Sequence, residues 1–246
     1  MKARAVIICY GMGITQHRHG SENVQQIANL LLLRGNFGRP GAGICPVRGH
    51  SNVQGDWTVG IDEKPKPELL DQIEKVFGFK PPRLRGHAVV DAVQAMIDGS
   101  AKVFIGLGGN FVTAVSDRSS AEAAMRQLRL TVAISTKLNR GHLVHGELAL
   151  ILPCLARSDV DIQKSGRQSI TVEDSMAMVH ASGGLVQPPS KHLKSEVAIV
   201  CGIARATLPD DGSIDWSAFE DDYDVIRERI EQVFPALFRD FNRRIR

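Results

Sequence analysis

Four short apolar runs separated by helix patterns constrain the fold of this chain more than any other feature. The runs are RAVIICY, AKVFIGL, LTVAIST and ELALILP. They are continuous rather than alternating, which is typical of parallel strands buried on both faces. The pattern predicts an α/β fold with three layers, in which a mostly parallel sheet carries helices on both faces in a Rossmann-like, doubly wound arrangement.

The helix patterns and their ends predict how the chain is organised. Ser21 is a candidate N-cap for the helix SENVQQIANLLLLRG, and Gly35 stands where a C-terminal glycine is expected. We expect one α/β domain over residues 1–160. Residues 161–246 are predicted to form a helical and extended C-terminal extension that packs on the same domain, because the apolar periodicity weakens there and helix patterns return towards the end.

Composition and charge exclude several classes of protein. The net charge of the 246 residues is only +3, which does not indicate a nucleic-acid partner. No apolar run approaches the roughly 18 residues of a membrane helix, and the first residues do not resemble a signal peptide, so we expect no membrane insertion and a cytoplasmic location. The chain opens directly on a strand pattern, from which we expect it to be part of a longer protein.

The cysteines and histidines do not predict a metal site. The four cysteines, Cys9, Cys45, Cys154 and Cys201, lie far apart in the sequence, and each is predicted to be a small buried apolar residue. Two histidine pairs, His17 with His19 and His142 with His145, have no carboxylate or cysteine in their motifs to complete a ligand set. We favour a surface or anion-contacting role for them and predict no metal ligand.

Two glycine turns follow apolar strands directly, in ICYGMGITQ and FIGLGGNFVT. Ligands of open parallel sheets bind beyond the carboxyl ends of the strands, where backbone N–H groups can form a nest for an anion. Neither turn is a GxGxxG fingerprint and the chain has no P-loop, so an ordinary nicotinamide dinucleotide or nucleoside triphosphate site is not predicted. At the end of LTVAIST, Ser135 to Lys137 can either bind a polar ligand or form a solvated strand end.

The segment Asn36–Asp56, NFGRPGAGICPVRGHSNVQGD, fits neither a helix nor a strand pattern. A loop of this length inside a compact domain is usually functional. Arg48 has a guanidinium fork suited to phosphate or carboxylate, and Ile44 to Val47 are apolar enough to indicate burial. The alternative is a mobile surface loop, which we expect if the chain holds nothing for the segment to fold around.

Together, GMGITQHRHG and NLLLLRGNFGRPGAGICPVRGHSNVQGD closely resemble the molybdopterin oxidoreductases, with the formate-dehydrogenase-like alpha subunits as the nearest branch. The resemblance extends more loosely through FIGLGGNF, LTVAIST and ELALILP. Members of this family bind molybdenum through two pterin dithiolenes, each pterin carrying a guanine dinucleotide, and perform two-electron redox chemistry. The resemblance therefore implies that residues 1–160 bind molybdopterin guanine dinucleotide.

The resemblance also assigns residues to the site. It implies catalytic roles for Arg48, beside the metal, and for His50, where relatives often carry Gln. The family's G-x-[ND]-P turn matches Gly108 to Asn110, although Phe111 replaces the proline. The implied cofactor-binding residues are Gly11, Met12, Gly13, Gln16, Arg48, Gly49, Gly108, Gly109, Asn110, Ser135 and Lys137.

The resemblance further implies partners beyond this chain. They are the remaining domains of the parent enzyme, a small-molecule substrate and, where the parent has one, an iron–sulfur cluster bound outside this chain; the isolated chain is expected to be inactive. Two alternatives stay open: a non-catalytic α/β module that binds a nucleotide or anion, and a structural piece whose strand edges await the missing domains.

Overall fold

The structure is a computed structural model that describes residues 3–47, 50 and 52–245. It is an α/β fold built on parallel strand pairs flanked by helices, as the alternation of apolar runs and helix patterns predicts. The chain forms two compact units, one of residues up to Asp56 with Val172–His180, the other of Trp57–Thr171 with Ala181 onwards. The domain boundary after residue 160 stays a prediction.

In the first unit, β1 (Ile7–Tyr10) pairs in parallel with β2 (Gly43–Pro46). Two helices connect the strands, α1 (Met12–Thr15) and α2 (Gly20–Leu33). The segment predicted to be neither helix nor strand therefore contributes a strand. The prediction was wrong because a strand of four residues between glycines and prolines has no local signature; its hydrogen bonds come from a partner some 36 residues earlier in the register Ile7 to Gly43.

The predicted start of α2 was also wrong, because the N-cap is His19 and the helix begins at Gly20. A side chain at Gly20 would place its Cβ 2.1 Å from the Thr15 carbonyl oxygen, so glycine permits the close turn from α1 into α2. The other end of α2 agrees with the prediction: Gly35 has a φ of +60° immediately after the C-cap Arg34.

Asn36 connects the helix to the strand from a fully buried position. Its Oδ1 accepts a hydrogen bond from the Val6 N–H at 3.0 Å, and its Nδ2 donates to the Arg34 carbonyl at 3.3 Å. The Asn36 N–H donates to the Leu31 carbonyl at 2.8 Å. Asn36 thereby fixes the entry of β1 against the end of α2.

The second unit contains the three-stranded parallel sheet β3 (Val103–Leu107), β4 (Leu130–Ser135) and β5 (Leu148–Pro153), in that order. The helices before and between these strands are α4 (Pro67–Phe77), α5 (Val89–Ile97), α6 (Phe111–Ala114), α7 (Arg118–Arg126) and the 3-10 helix Arg140–Leu143. Helix α3 (Val53–Thr58) spans the boundary between the two units.

Two apolar clusters show why this sheet has helices on both faces. On one face, Phe104 of β3 packs with a buried cluster that includes Met96 of α5 and Met125 of α7. On the other face, Val132 and Ile134 of β4 pack with Ile199 of α8 (Glu196–Thr207). Successive residues of a strand point to opposite faces, so Phe104 of β3 lies on the face opposite to Val132 and Ile134 of β4, and helices pack on both faces of the sheet.

Helix α8 covers only the centre of its face of the three-stranded sheet. Val103, Ile105, Leu148 and Leu150 share this face with β4 residues through their register, yet each is at least half exposed. An apolar sheet face this open usually marks a surface that meets another part of a protein.

After β5 the chain forms short strands and then helices. The strands are β6 (Ile162–Gln163), β7 (Gly166–Arg167), β8 (Ile170–Glu173) and β9 (Val179–Ser182), and the last helices are α9 (Trp216–Asp221), α10 (Tyr223–Val233) and α11 (Phe241–Arg244). A buried polar group connects strands to helices here: the Tyr223 hydroxyl donates to Asp161 at 2.5 Å and lies 2.6 Å from the Ser195 Oγ. Helices thus return towards the end of the chain, as the helix patterns of the extension predict.

The cysteine prediction holds for two of the four residues. Cys154 and Cys201 are buried, whereas Cys9 and Cys45 are exposed. The error for the latter two has the same origin as the missed strand, because β1 and β2 form a two-stranded sheet with one open face. Among the described residues, no helix is long and apolar enough to cross a membrane.

We expect Gly20→Ala to destabilise the first unit by about 1–3 kcal/mol or more, because the new methyl group meets backbone rather than a movable side chain. Urea unfolding followed by circular dichroism measures the change. Gly13→Ala is the matched control, since a Cβ there has no heavy atom within 4 Å; equal stability of the two variants would contradict the packing role of Gly20.

We expect Asn36→Ala to cost about 1–3 kcal/mol, because the Val6 N–H loses its buried acceptor. Hydrogen exchange of the peptide that contains β1 should accelerate together with the loss of stability. The exposed Asn110 supplies the control, and Asn110→Ala should leave unfolding unchanged. Normal protection of β1 in the Asn36 variant would show that this bond does not hold the strand.

Candidate functional site

The first glycine turn and the end of β2 meet at the carboxyl edge of the two-stranded sheet. The Val47 N–H donates to the Tyr10 carbonyl at 2.7 Å, which continues the pairing of β1 and β2 by one step. Gly11 faces the Val47 carbonyl, and a Cβ at Gly11 would lie 3.4 Å from that oxygen. The first glycine turn and Val47 are therefore brought together by backbone pairing, although 36 positions separate Gly11 from Val47 in the sequence.

The turn itself is open to a ligand. Gly11 is the N-cap of α1, with an extended backbone, and Met12 and Gly13 form the first turn of that helix. The N–H groups of a first helical turn have no partner within the helix and point outwards. Both residues are exposed, as is Gln16, whose N–H donates to the Met12 carbonyl at 2.8 Å.

Of the residues that follow Val47, Arg48 and Gly49 lie outside the described residues, whereas His50 is described and exposed. The second half of the segment is held by side-chain bonds. The Asn52 Oδ1 accepts from the Glu173 N–H at 2.9 Å, and the Gln54 Nε2 donates to the Glu173 carboxylate at 2.8 Å. These two amides therefore bind Glu173 and hold the second half of the segment against it.

The second glycine turn lies at the carboxyl edge of the three-stranded sheet. Gly108 donates to the Ile134 carbonyl at 2.8 Å, and Gly108 and Gly109 have φ values of +70° and +71°. Such values favour glycine, and a Cβ on either residue would have no neighbour within 4 Å. Asn110 follows as the N-cap of α6, and its side chain makes no cap hydrogen bond.

A cleft opens beside this turn, and its walls include two residues that the sequence analysis did not assign to a site. Its floor is the sheet face around Thr131 and Ala133. Asn139 donates from Nδ2 to the Gly109 carbonyl at 3.3 Å, and the His142 ring lies 3.2 Å from the same amide nitrogen. Asn139 belongs to no recognisable motif. Its place shortly after a strand is the only sequence signal for a position in this cleft.

Ser135 and Lys137 stand at the end of β4 but do not line this cleft. The Ser135 Oγ donates to the Lys137 carbonyl at 2.7 Å, which closes the turn after the strand, while Lys137 is exposed. Their predicted contact with a cofactor stays a prediction.

The histidines near the turns make local contacts. His17 donates from Nε2 to the Gly13 carbonyl at 2.7 Å, and the His19 Nδ1 lies 2.6 Å from a Glu22 carboxylate oxygen. Within residues 3–47, 50 and 52–245, no three His, Cys, Asp or Glu side chains come together to hold a metal. What the described residues offer a ligand is backbone N–H groups and amide side chains around two open turns.

The chain matches known proteins over its whole length. It is 54% identical over 244 residues to protein YdeP of Escherichia coli K12, covering 99% of this chain and 32% of that protein. It is 49% identical over 246 residues to an uncharacterized oxidoreductase of Mycobacterium tuberculosis H37Rv, covering 100% of this chain and 32% of the relative. The chain thus spans about a third of the length of these relatives.

A more distant relative shares only the first part of the chain. A putative formate dehydrogenase of Staphylococcus aureus USA300 is 34% identical over 139 residues, which is 53% of this chain and 14% of that protein. The family model for molybdopterin oxidoreductase matches residues 1–143, a range that contains both glycine turns and the PVRG motif. The chain therefore belongs to the molybdopterin oxidoreductase family.

Proposed function

We propose that this chain forms part of a molybdenum-dependent, formate-dehydrogenase-like oxidoreductase that binds a bis-molybdopterin guanine dinucleotide cofactor. The observation that carries the proposal is the meeting of the GMG turn with the strand end that leads into PVRG, through the bond from the Val47 N–H to the Tyr10 carbonyl. Family membership supports a molybdopterin cofactor; the guanine dinucleotide form and the formate-like reaction are the further steps of the proposal.

The glycine turns fit such a cofactor. Gly13, Gly108 and Gly109 each leave open the space that a Cβ would fill. A planar pterin or a pyrophosphate can therefore approach the backbone closely and accept hydrogen bonds from N–H groups. A backbone cradle of this kind binds negative charge without a cluster of basic side chains, in agreement with a net charge of only +3.

Each turn is assigned a role by itself. In the first unit, Gly11 to Gly13 and Gln16 would hold one part of the cofactor, with Gly49 in the adjoining loop. In the second unit, Gly108 to Asn110 would hold another part, with Ser135 and Lys137 towards the guanosine. When bound, the cofactor supplies two-electron redox chemistry at molybdenum.

Arg48 and His50 are proposed to contact the substrate. Arg48 follows directly in the sequence after Val47, whose N–H is bonded to the Tyr10 carbonyl. A guanidinium fork binds a small carboxylate in two-point fashion and orients it, which suits formate or a similar anion. The imidazole of His50, two residues after Arg48, can donate a hydrogen bond to the substrate or accept a proton from it. Formate is suggested by the motif resemblance to formate-dehydrogenase-like subunits and by the name of the Staphylococcus relative.

The working enzyme is proposed to be longer than this chain. The chain spans about a third of its relatives' length, and the exposed apolar residues Val103, Ile105, Leu148 and Leu150 form a face that other parts of the polypeptide could cover. An iron–sulfur cluster, if the parent enzyme has one, would lie in such a part. We propose a cytoplasmic enzyme and expect the isolated chain to be inactive.

Arg48→Ala in the longer enzyme should lower kcat/KM by about 100-fold or more, since one charged donor to the reacting group is lost. Soluble yield should stay unchanged, as size-exclusion chromatography would show. Metal analysis then separates a substrate role, with full molybdenum content, from the cofactor-binding role that the resemblance also implies. The control is Arg126→Ala, an exposed arginine at the end of α7. A parallel loss of metal, yield and activity would assign Arg48 to folding instead.

The isolated chain should self-associate through its open sheet face. Sedimentation velocity should show concentration-dependent association that the double substitution Ile105→Lys and Leu150→Lys reduces, because two charges would then have to be buried in the contact. Leu84→Lys changes an exposed leucine elsewhere and should have no effect. The same association in all three proteins would contradict a role for this face.

A further inference from the structure

Two cysteines of the first unit lie side by side on neighbouring strands. Cys9 of β1 is the direct register partner of Cys45 of β2, and both residues are exposed. Neither residue has been used in the proposed function, and 36 positions separate them in the sequence.

The geometry of a parallel pair suits a covalent link between them. Neighbouring strands lie about 4.7–4.9 Å apart, and the Cα atoms of disulfides are usually about 4.4–6.8 Å apart. Direct register partners point to the same face of the sheet, so both sulfur atoms are on one side. The next pair on that face is Ile7 with Gly43, and since Gly43 has no side chain, the approach to the sulfur atoms stays open on that side.

Cys45 also affects the ionisation of Cys9. The pKa of the Cys9 thiol is raised above its ordinary value, first by its hydrogen bond with Cys45 and then by the charge that Cys45 acquires when it ionises. A raised pKa leaves less thiolate at neutral pH, and the thiolate is the reactive form. Oxidation of the pair should therefore be slow near pH 7 and accelerate as the pH rises.

We propose that Cys9 and Cys45 form a redox-active dithiol that closes to a disulfide by exchange with a low-molecular-weight disulfide. One thiolate attacks a sulfur of that compound, forms a mixed disulfide and releases one thiolate. The second cysteine loses its proton and attacks the protein sulfur of the mixed disulfide, which releases the other thiolate. The two protein thiols are oxidised, the small disulfide is reduced to two thiols, and the two protons are taken up by those products.

A disulfide between Cys9 and Cys45 would lie close to the residues of the proposed cofactor and substrate site. Cys9 precedes Gly11 by two residues, and Cys45 precedes Arg48 by three. A disulfide between them would tie β1 to β2 at the edge where the first glycine turn and the PVRG loop begin. The thiol pair itself does not depend on the proposed cofactor.

The test uses the 246-residue chain and oxidised glutathione. After treatment at pH 8, intact mass should fall by two hydrogens, and non-reducing trypsin digestion should yield the peptides Ala5–Arg18 and Gly35–Arg48 as one linked species. The two buried cysteines are internal controls: burial raises the pKa of Cys154 to about 11 and also raises that of Cys201, so both should stay reduced until the chain unfolds.

Single variants separate an internal link from ordinary surface modification. Cys9→Ser and Cys45→Ser should each retain one glutathione as a stable mixed disulfide, whereas Cys201→Ser should form the same internal link as the unaltered chain. Two retained glutathiones on the unaltered chain, a link that includes Cys154 or Cys201, or dimers joined through Cys9 or Cys45 would each overturn the proposal.

Discussion

The parallel pairing of Ile7–Tyr10 with Gly43–Pro46 is the constraint on which the first glycine turn and the position of Val47 both depend. Because the strands are parallel, their carboxyl ends lie at one edge, and the chain leaves both strands there. The pairing is anchored at its other end by Asn36, which binds Val6 from a fully buried position. One buried amide thus fixes where β1 begins, and the strand register then determines which residues meet at the far edge. A shift of one residue would exchange the faces on which Cys9 and Tyr10 lie and would move Gly11 away from Val47.

The three-stranded sheet of the second unit positions its glycine turn by the same means. Gly108 extends the pairing of β3 with β4 through its bond to Ile134, and the chain then turns through two residues with positive φ. Asn139 holds the turn from the next loop through the Gly109 carbonyl. In both units the groups offered to a ligand are mainly backbone N–H groups, positioned by a ladder of hydrogen bonds. Backbone N–H groups can bind an anion without charged side chains. The candidate site is therefore marked in the sequence by glycines and not by charged residues.

The sequence alone predicted the helices and strands that are determined by local residue patterns. Strands β1, β3, β4 and β5 lie within the four apolar runs, and helix α2 overlaps the helix predicted from helical spacing, which it precedes by one residue. The features it missed depend on contacts distant in the sequence. Strand β2 is defined by its partner, the exposure of Cys9 and Cys45 follows from the open face of that pair, and Asn139 has a role only because the loop after β4 returns to Gly109. For the site, the motifs located the two turns, whereas the bonds of Asn52 and Gln54 to Glu173 could not be read from their residue types.

The surroundings of each glycine show whether packing or backbone conformation requires a residue without a side chain at that position. Gly20, Gly146 and Gly184 each face a backbone oxygen that a Cβ would approach to 2.2 Å or less, so packing alone accounts for them. Gly108 and Gly109 are accounted for by their positive φ values. Gly13 has neither reason: it lies in a helical turn, where glycine costs about 1 kcal/mol relative to alanine, and a side chain there would have open space around it. Gly202 in α8 shares both properties, so a helical glycine with open space around it does not by itself indicate a ligand. What distinguishes Gly13 is its place in the first turn of α1, directly after the end of β1, where a group that approaches the exposed N–H groups would meet no side chain.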